Sequence, residues 1–221
     1  MAPIDRSLLE GRPRRAVFLP TASALEGPDR VRYWTDLGTK HFTGLGVEPV
    51  ALPVLDRNDA DSEDLAALVA GAGLVYLSGG NPGYLADTLA GTKVWEAIVA
   101  AFSTGAALAG CSAGACALSR VAQDLRDPGR YSGEGLGVVG DLVVLPHFDR
   151  MALFAPGLVS QMLATMPEGT FLVGIDEETA LICDGGRYTV AGRQSVWHVR
   201  GDGSRTGFAA GEVLDLAGAQ S

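Results

Sequence analysis

One pentapeptide combines the residue types and the spacing of a nucleophilic site. Gly110-Cys111-Ser112-Ala113-Gly114 has the pattern G-x-S-x-G, in which a serine stands at a sharp turn between a strand and a helix. The small apolar residues 105–108 before it suit a buried strand, and residues 115–118 after it can form a helix. The pattern therefore predicts a serine hydroxyl exposed for nucleophilic attack. On the pentapeptide alone, a turn of small residues packed closely for steric reasons stays open as the alternative.

A serine nucleophile needs a base, and His147 is a candidate. It follows directly after the apolar strand predicted at residues 142–145, and α/β sheets place their sites at the carboxyl ends of strands. A single histidine there is as often an ordinary hydrogen-bonded surface group, so both interpretations stay open. We expect His41 to lie on a helix surface or in a groove rather than to bind a metal, and His198 to be structural.

A glycine-rich turn could supply hydrogen-bond donors to the same reaction. In Ser78-Gly79-Gly80-Asn81-Pro82, two successive glycines after a strand allow backbone N–H groups to point at a carbonyl oxygen that becomes negative during acyl transfer. The alternative is an ordinary turn between a strand and a helix, in which Asn81 and Pro82 start the helix.

Carboxylates that could orient a base lie in two loops. The segment 120–136 is polar, lacks periodicity and is long for a plain connection, which favours a functional role. The loop 176–178 is either solvated or lines the site. A third acidic stretch, 57–64, predicts a helix start capped by Asp61 or Ser62 rather than a metal loop. The carboxylates of the first two loops are Asp124, Asp127, Glu134, Asp176, Glu177 and Glu178.

Composition excludes several classes of protein. A formal net charge of −9 argues against nucleic acid and anionic membranes as partners, because both need clustered Lys and Arg. Three cysteines, Cys111, Cys116 and Cys183, without a C-x-x-C spacing predict neither a disulfide framework nor a zinc site. No apolar signal core and no run of membrane-span length occur in the sequence, so we expect a cytoplasmic protein.

The order of elements predicts one α/β domain over residues 1–221. Short apolar runs that alternate with helical patterns indicate a mostly parallel, doubly wound sheet flanked by helices. After residue 170 the period changes to that of hairpins, which predicts an antiparallel C-terminal edge. Residues 1–14 are polar and predict a loose arm. The predicted strands are 16–19, 50–52, 74–77, 105–108, 142–145, 171–175, 179–183, 187–190 and 195–199, and the predicted helices are 30–45, a helix starting near 62, 84–89, 94–102, 115–118 and 156–166.

Four landmarks occur together in this chain: S-G-G-N after the third strand, G-C-S-A-G-A after the fourth, an acidic loop, and P-H-F after the fifth. In this combination the chain resembles the peptidase E and cyanophycinase family of serine peptidases, whose fold is that of class I glutamine amidotransferases. Residues 19–23 are similar to the family's first strand and loop, and residues 174–181 to its late hairpin. In amidotransferases the residue at the elbow is cysteine. Here it is Ser112, with Cys111 beside it, which favours a serine hydrolase.

The resemblance implies a role for each candidate. Ser112 is the nucleophile, His147 is the base, and family spacing points to Asp127, fifteen residues after the serine, as the carboxylate that orients the imidazole. No metal or organic cofactor is implied. The remaining positions are the oxyanion donors Gly79 or Gly80 with Ala113, the alternative carboxylates Asp124 and Glu134, and the site-lining residues Asn81 and Glu177.

The resulting hypothesis is a serine peptidase that cleaves short peptides next to an acidic residue, as peptidase E does. A cation from the group Arg120, Arg126 and Arg130 could hold a substrate carboxylate. The alternatives are an esterase with the same order of catalytic residues, against which the short gap between residues 112 and 147 argues, and a catalytically silent binding or sensor protein on the same scaffold. The resemblance also implies a homodimer, since family members often pair as dimers, although no pattern in this sequence requires it.

Overall fold

The computed structural model describes residues 1–123, 130, 132–154, 156–214 and 216. These residues form an α/β fold with a parallel sheet, flanking helices and antiparallel C-terminal strands, which confirms the predicted fold class. The chain divides into two compact units. The first comprises residues 2–118 and 122–136, and the second comprises residues 119–121 and 137–221 together with Met1.

The first unit is built on a parallel sheet with the strand order β2-β1-β3-β4. The central strands β1 and β3 lie on predicted apolar runs and are the most deeply buried, as expected for a sheet that helices cover. The strand β2 begins two residues before the predicted start at 50, and β4 begins two residues after the predicted start at 105. All three pairings in this sheet are parallel. The strands are β1 (Arg15–Leu19), β2 (Glu48–Ala51), β3 (Leu74–Leu77) and β4 (Ala107–Gly110).

Side-chain caps fix where several helices of this unit begin. Ser62 Oγ accepts the N–H of Leu65, and Asn81 Oδ1 accepts the N–H of Tyr84 at 2.8 Å. The acidic stretch 57–64 differs from the prediction, because a capping box at Asp56 starts an additional short helix before the one that Ser62 caps. The helices are α1 (Ala2–Leu8), α2 (Pro28–Gly44), α3 (Arg57–Ala60), α4 (Glu63–Ala67), α5 (Pro82–Leu89), α6 (Lys93–Ser103) and α7 (Ala113–Leu118), with a 3₁₀ helix at Thr21–Glu26.

The N-terminal segment is not the loose arm that its polarity predicts. Residues 2–8 form α1, and Asp5 on this helix is only 5% exposed. Asp5 Oδ2 lies 2.9 Å from Nε2 of His41 on α2. This pair, which joins two distant parts of the chain, anchors the segment, and it also accounts for His41.

The second unit contains two sheets. One has the order β10-β9-β6-β5, in which β5 and β6 are parallel and the other pairs are antiparallel, and the other has the antiparallel order β11-β8-β7. The predicted hairpin turn at Gly185-Gly186 is confirmed, with φ of +55° and +82°. The elements are β5 (Leu142–Pro146), α8 (Phe148–Phe154), α9 (Pro156–Thr165), β6 (Phe171–Ile175), β7 (Thr179–Asp184), β8 (Arg187–Gly192), β9 (Val196–Val199), β10 (Arg205–Phe208) and β11 (Val213–Leu214).

Each unit has an apolar core of its own. In the first, Phe18 of β1 packs against Phe42 of α2, with ring centroids 5.8 Å apart, and Leu74 of β3 lies in the same cluster. In the second, Val173 of β6 and Val196 of β9 belong to one buried cluster. Across the described residues, no helix has both the length and the apolar character that crossing a bilayer requires.

Candidate active site

Ser112 stands at the turn that the G-x-S-x-G pattern predicts, between the end of β4 and the start of α7. Its φ is +51°, in the left-handed region that disfavours side chains other than glycine. Among the described residues only three that are not glycine have a positive φ, namely Ser112, His147 and Glu178. The residue as a whole is half-buried. Backbone strain at such a residue is typical of functional sites.

The two glycines of the motif have a steric explanation. A Cβ added to Gly110 would overlap the backbone of Gly114, and a Cβ added to Gly114 would overlap the carbonyl oxygen of Leu77 at the end of β3. The turn can therefore close only with glycine at both positions. Because this explains the glycines but not the strained serine between them, the purely steric interpretation of the pentapeptide is incomplete.

The turn after β3 lies directly against Ser112. A Cβ added to Gly79 would be 3.4 Å from Ser112 Cβ, which puts the backbone of this turn in contact with the serine. The next residue, Gly80, has a φ of +146°, and the N–H of Asn81 donates to the carbonyl oxygen of Ala22 at 2.7 Å. Asn81 itself caps α5, so the ordinary role of this residue as a helix start is confirmed. Both predicted halves of the first unit's site, the serine and the glycine turn, thus lie together.

The backbone N–H groups near Ser112 differ in the acceptors that lie close to them. Burial raises the pKa of the Cys111 thiol, while contacts of its sulfur with the Tyr76 hydroxyl and with the N–H of Gly79 act in the opposite direction. The N–H of Gly79 therefore favours the thiolate form of Cys111. Within the described part of the chain, no backbone carbonyl accepts a hydrogen bond from the N–H of Gly80 or of Ala113. These two amides are the better candidates for oxyanion donors.

In the second unit, His147 lies between β5 and α8, with a φ of +53° and a side chain that is 48% exposed. Its Nδ1 is 3.2 Å from Oε1 of Glu177, whose side chain is 35% exposed. An ionised carboxylate can only accept hydrogen bonds, so this contact places a hydrogen on Nδ1. In the neutral imidazole Nε2 then carries the lone pair, which is the tautomer that a general base requires.

The loop of Glu177 was expected either to be solvated or to line the site, and the structure places the Glu177 carboxylate in contact with the histidine. The strand pairing explains why: β5 and β6 are parallel neighbours, with Pro146 opposite Ile175. His147 follows one strand end and Glu177 the other, so both side chains lie at the same edge of the sheet. That rule, applied to the strands 142–145 and 171–175, places both residues at one edge of the sheet, but it does not say that the two strands are neighbours.

Of the predicted carboxylates Asp127, Asp124 and Glu134, the structure describes only Glu134. Asp127 and its alternative Asp124 lie outside the described residues. Glu134 belongs to the first unit, where its N–H donates to Ser132 Oγ at 3.2 Å. The assignment of Asp127 stays a prediction.

Several contacts fix the loop that carries Glu177. The N–H of Glu177 donates to Asp149 Oδ1 at 3.0 Å, and Arg150 Nη2 lies 3.1 Å from Glu177 Oε2. The preceding residue, Asp176, is buried and accepts hydrogen bonds from the indole N–H of Trp197, at 3.0 and 3.1 Å, and from the N–H of Ser195. These contacts hold Glu177 and the residue before it, so the imidazole of His147 has a well-defined partner.

The remaining titratable candidates have other roles. His198 is buried in β9, where burial lowers the pKa of its imidazole and its ring packs against Phe171, in agreement with a structural role. Within the ranges that the structure describes, no group of three or more His, Cys, Asp or Glu side chains could hold a metal ion. The expectation of a reaction without a cofactor stays a prediction.

The geometry can be compared with known proteins. The model of peptidase family S51 matches residues 4–191. The chain is 36% identical to a peptidase from an acI-B1 Actinobacterium, whose crystal structure matches with a TM-score of 0.87 over 97% of this chain and 91% of that chain. A putative peptidase E protein from Listeria monocytogenes EGD-e is 20% identical, with a TM-score of 0.66 over 88% of this chain and 94% of that chain, a likeness of fold alone. No curated protein matches the chain.

Proposed function

Since the chain belongs to peptidase family S51 and is a serine-type peptidase, we propose that it hydrolyses short peptides with Ser112 as nucleophile and His147 as base. Glu177 orients the base, and the N–H groups of Gly80 and Ala113 stabilise the oxyanion. The observation that carries this proposal is the conformation of Ser112, a half-exposed serine held at a positive φ between two glycines and against the Gly79 turn. The resemblance predicted from the sequence to the peptidase E family is confirmed.

In this proposal Ser112 Oγ attacks the carbonyl carbon of the scissile bond while Nε2 of His147 takes the hydroxyl proton. The carbonyl oxygen becomes negative and accepts hydrogen bonds from the two backbone amides. The C–N bond then breaks, and His147 returns the proton to the leaving amine. A water molecule hydrolyses the acyl-enzyme by the same steps in reverse order, which restores the serine.

Glu177 takes the place that family spacing gave to Asp127. Its support is the 3.2 Å contact with Nδ1 of His147. By holding the hydrogen on Nδ1, the carboxylate keeps Nε2 ready to accept a proton, and its charge stabilises the imidazolium that forms.

The acidic preference at the cleaved bond is the finer part of the hypothesis. It derives from the resemblance to peptidase E, and the arginines considered as partners of a substrate carboxylate are Arg120, Arg126 and Arg130. Arg126 lies outside the described residues. If Arg120 or Arg130 binds the carboxylate, its replacement by Ala raises KM for Asp-containing dipeptides but not for Ala-Ala.

The function is tested with a dipeptide library and a fluorophosphonate probe on wild-type protein and on Ser112→Ala. We expect dipeptide hydrolysis and a covalent adduct at Ser112 in the wild type, and neither in the variant. Turnover of p-nitrophenyl esters that exceeds turnover of every dipeptide would favour the esterase alternative. Folded wild-type protein that hydrolyses no peptide and forms no adduct would refute the proposal.

A further inference from the structure

The turn beside Ser112 also contacts an aromatic side chain of α2. A Cβ added to Gly79 would lie 3.1 Å from Cζ2 and 3.3 Å from Cη2 of Trp34. The same Cβ would lie 3.4 Å from Ser112 Cβ. The indole and the serine therefore flank one glycine. A peptide whose carbonyl carbon is bonded to Ser112 Oγ extends by several ångströms in both directions, so its neighbouring groups come within reach of this indole.

The aromatic surface continues outward along α2. The ring of Tyr33 is 5.7 Å from that of Trp34 in an edge-to-face arrangement, and Tyr33 is 51% exposed. Leu37, one turn further along the helix, is also exposed. A group of exposed large apolar side chains next to a nucleophile is typical of a surface that binds a ligand.

The charges on this surface are already paired. The Arg30 guanidinium lies over the rings of Tyr33 and Trp34, 4.8 and 5.6 Å from their centroids, while its Nε is 3.3 Å from Glu26 Oε2. Arg32 likewise pairs with an aspartate of the same helix, at 3.2 Å. Because a carboxylate accompanies each cation, the surface favours an apolar side chain over an acidic one.

Two polar groups at this corner are buried without a partner. Among the described residues, neither Trp34 Nε1 nor Ser78 Oγ makes a hydrogen bond, and Ser78, the residue before Gly79, is only 5% exposed. Such groups are uncommon in folded proteins because an unmade hydrogen bond destabilises the fold. A bound peptide brings both carbonyl acceptors and amide donors, which are the partners that these groups lack.

We propose that Trp34 and Tyr33 form a subsite for an apolar side chain of the peptide substrate, on one side of the bond that Ser112 attacks. The inference rests on the proposed function in that Ser112 must be the nucleophile. Trp34 is then a residue that determines specificity: its indole contacts the substrate side chain, while Gly79 leaves room for the contact by having no side chain of its own.

The test compares dipeptides in which each position in turn is Asp, Ala, Leu or Phe. At one of the two positions we expect wild-type kcat/KM to favour Leu and Phe over Ala by roughly ten- to hundredfold, because contacts in an apolar pocket discriminate by such factors. Trp34→Ala should lose that preference, and Trp34→Phe, which keeps a ring, should retain it. Trp95→Phe on α6 serves as the matched control and should not change the ratio.

A second measurement makes the result independent of hydrolysis. In a Ser112→Ala background, calorimetric titration with the best Leu-containing dipeptide should show binding that Trp34→Ala weakens roughly tenfold. If Trp34→Ala unfolds, Tyr33→Ala replaces it, because Tyr33 is 51% exposed, and it should also weaken the preference. Peptide hydrolysis that depends on Ser112, together with a Leu-to-Ala ratio unchanged in Trp34→Ala, would overturn the subsite and leave the proposed function standing. If Trp34→Phe loses the preference as fully as Trp34→Ala, the apolar subsite is likewise refuted.

Discussion

Replacement of Glu177 by Gln is the sharpest test of the proposed base. The variant keeps the size of the side chain but removes the charge that faces His147 Nδ1 at 3.2 Å. At about 4 Å, two unit charges interact by about 1 kcal/mol in water and about 4 kcal/mol near a protein surface. Both side chains are partly exposed, so we take the lower half of that range. At 1.4 kcal/mol per factor of ten, kcat should fall by roughly five- to fiftyfold.

The assay is the hydrolysis of a dipeptide under saturating conditions, with the melting temperature measured on the same samples. Glu178→Gln is the matched control, because Glu178 is the next residue and pairs with Arg193 at 2.9 Å instead of with the histidine. We expect its kcat to stay within about twofold of the wild type. Asp127→Asn is the competing variant. A loss in Asp127→Asn that exceeds the loss in Glu177→Gln, with both proteins folded, would show that the geometry of the second unit has been misinterpreted.

Three further predictions concern other parts of the chain. Gly114→Ala should lower the free energy of unfolding by about 1–3 kcal/mol and abolish fluorophosphonate labelling, because the added Cβ overlaps a carbonyl oxygen of β3. Gly157→Ala is the control: its added Cβ meets no atom within 4 Å, so the melting temperature should not fall. Burial raises the pKa of Asp5 in the folded protein, so the contribution of Asp5 to the unfolding free energy should fall as pH rises from the ordinary pKa of an aspartate through this raised value. That contribution is the difference between wild type and Asp5→Asn in urea unfolding, and an equal pH slope in both proteins would contradict the prediction. Burial raises the pKa of the Cys116 thiol to about 12, so a thiol reagent should modify exposed Cys183 in the native state and Cys116 only after unfolding, as mass spectrometry of the labelled peptides can show.

Local sequence patterns predicted the parts of the site that are locally determined. The G-x-S-x-G turn follows from five adjacent residues, although Gly114 is also required by the backbone of Leu77 on β3. The pairing of Glu177 with His147 depends instead on which strands are neighbours, and no short pattern carries that information. Family spacing along the chain pointed to Asp127, which lies outside the described residues, so that assignment stays a prediction.

Elements stabilised by distant contacts were also missed. Residues 2–8 show no apolar periodicity, and their helix is anchored by the contact of Asp5 with His41. The strand β10, Arg205–Phe208, has neither alternation nor an apolar run, and it forms by antiparallel pairing with β9. In both places tertiary contacts outweigh weak local preferences.

In the proposed mechanism, the positive φ angles of the nucleophile Ser112 and the base His147 place catalysis and folding stability in opposition. Each conformation disfavours a side chain by about 1–2 kcal/mol relative to glycine. Selection for thermal stability alone would therefore favour glycine or asparagine at both positions. Such a chain would gain folding stability and lose activity. Directed evolution for heat tolerance that screens only for folded protein is accordingly expected to eliminate the hydroxyl and the imidazole first.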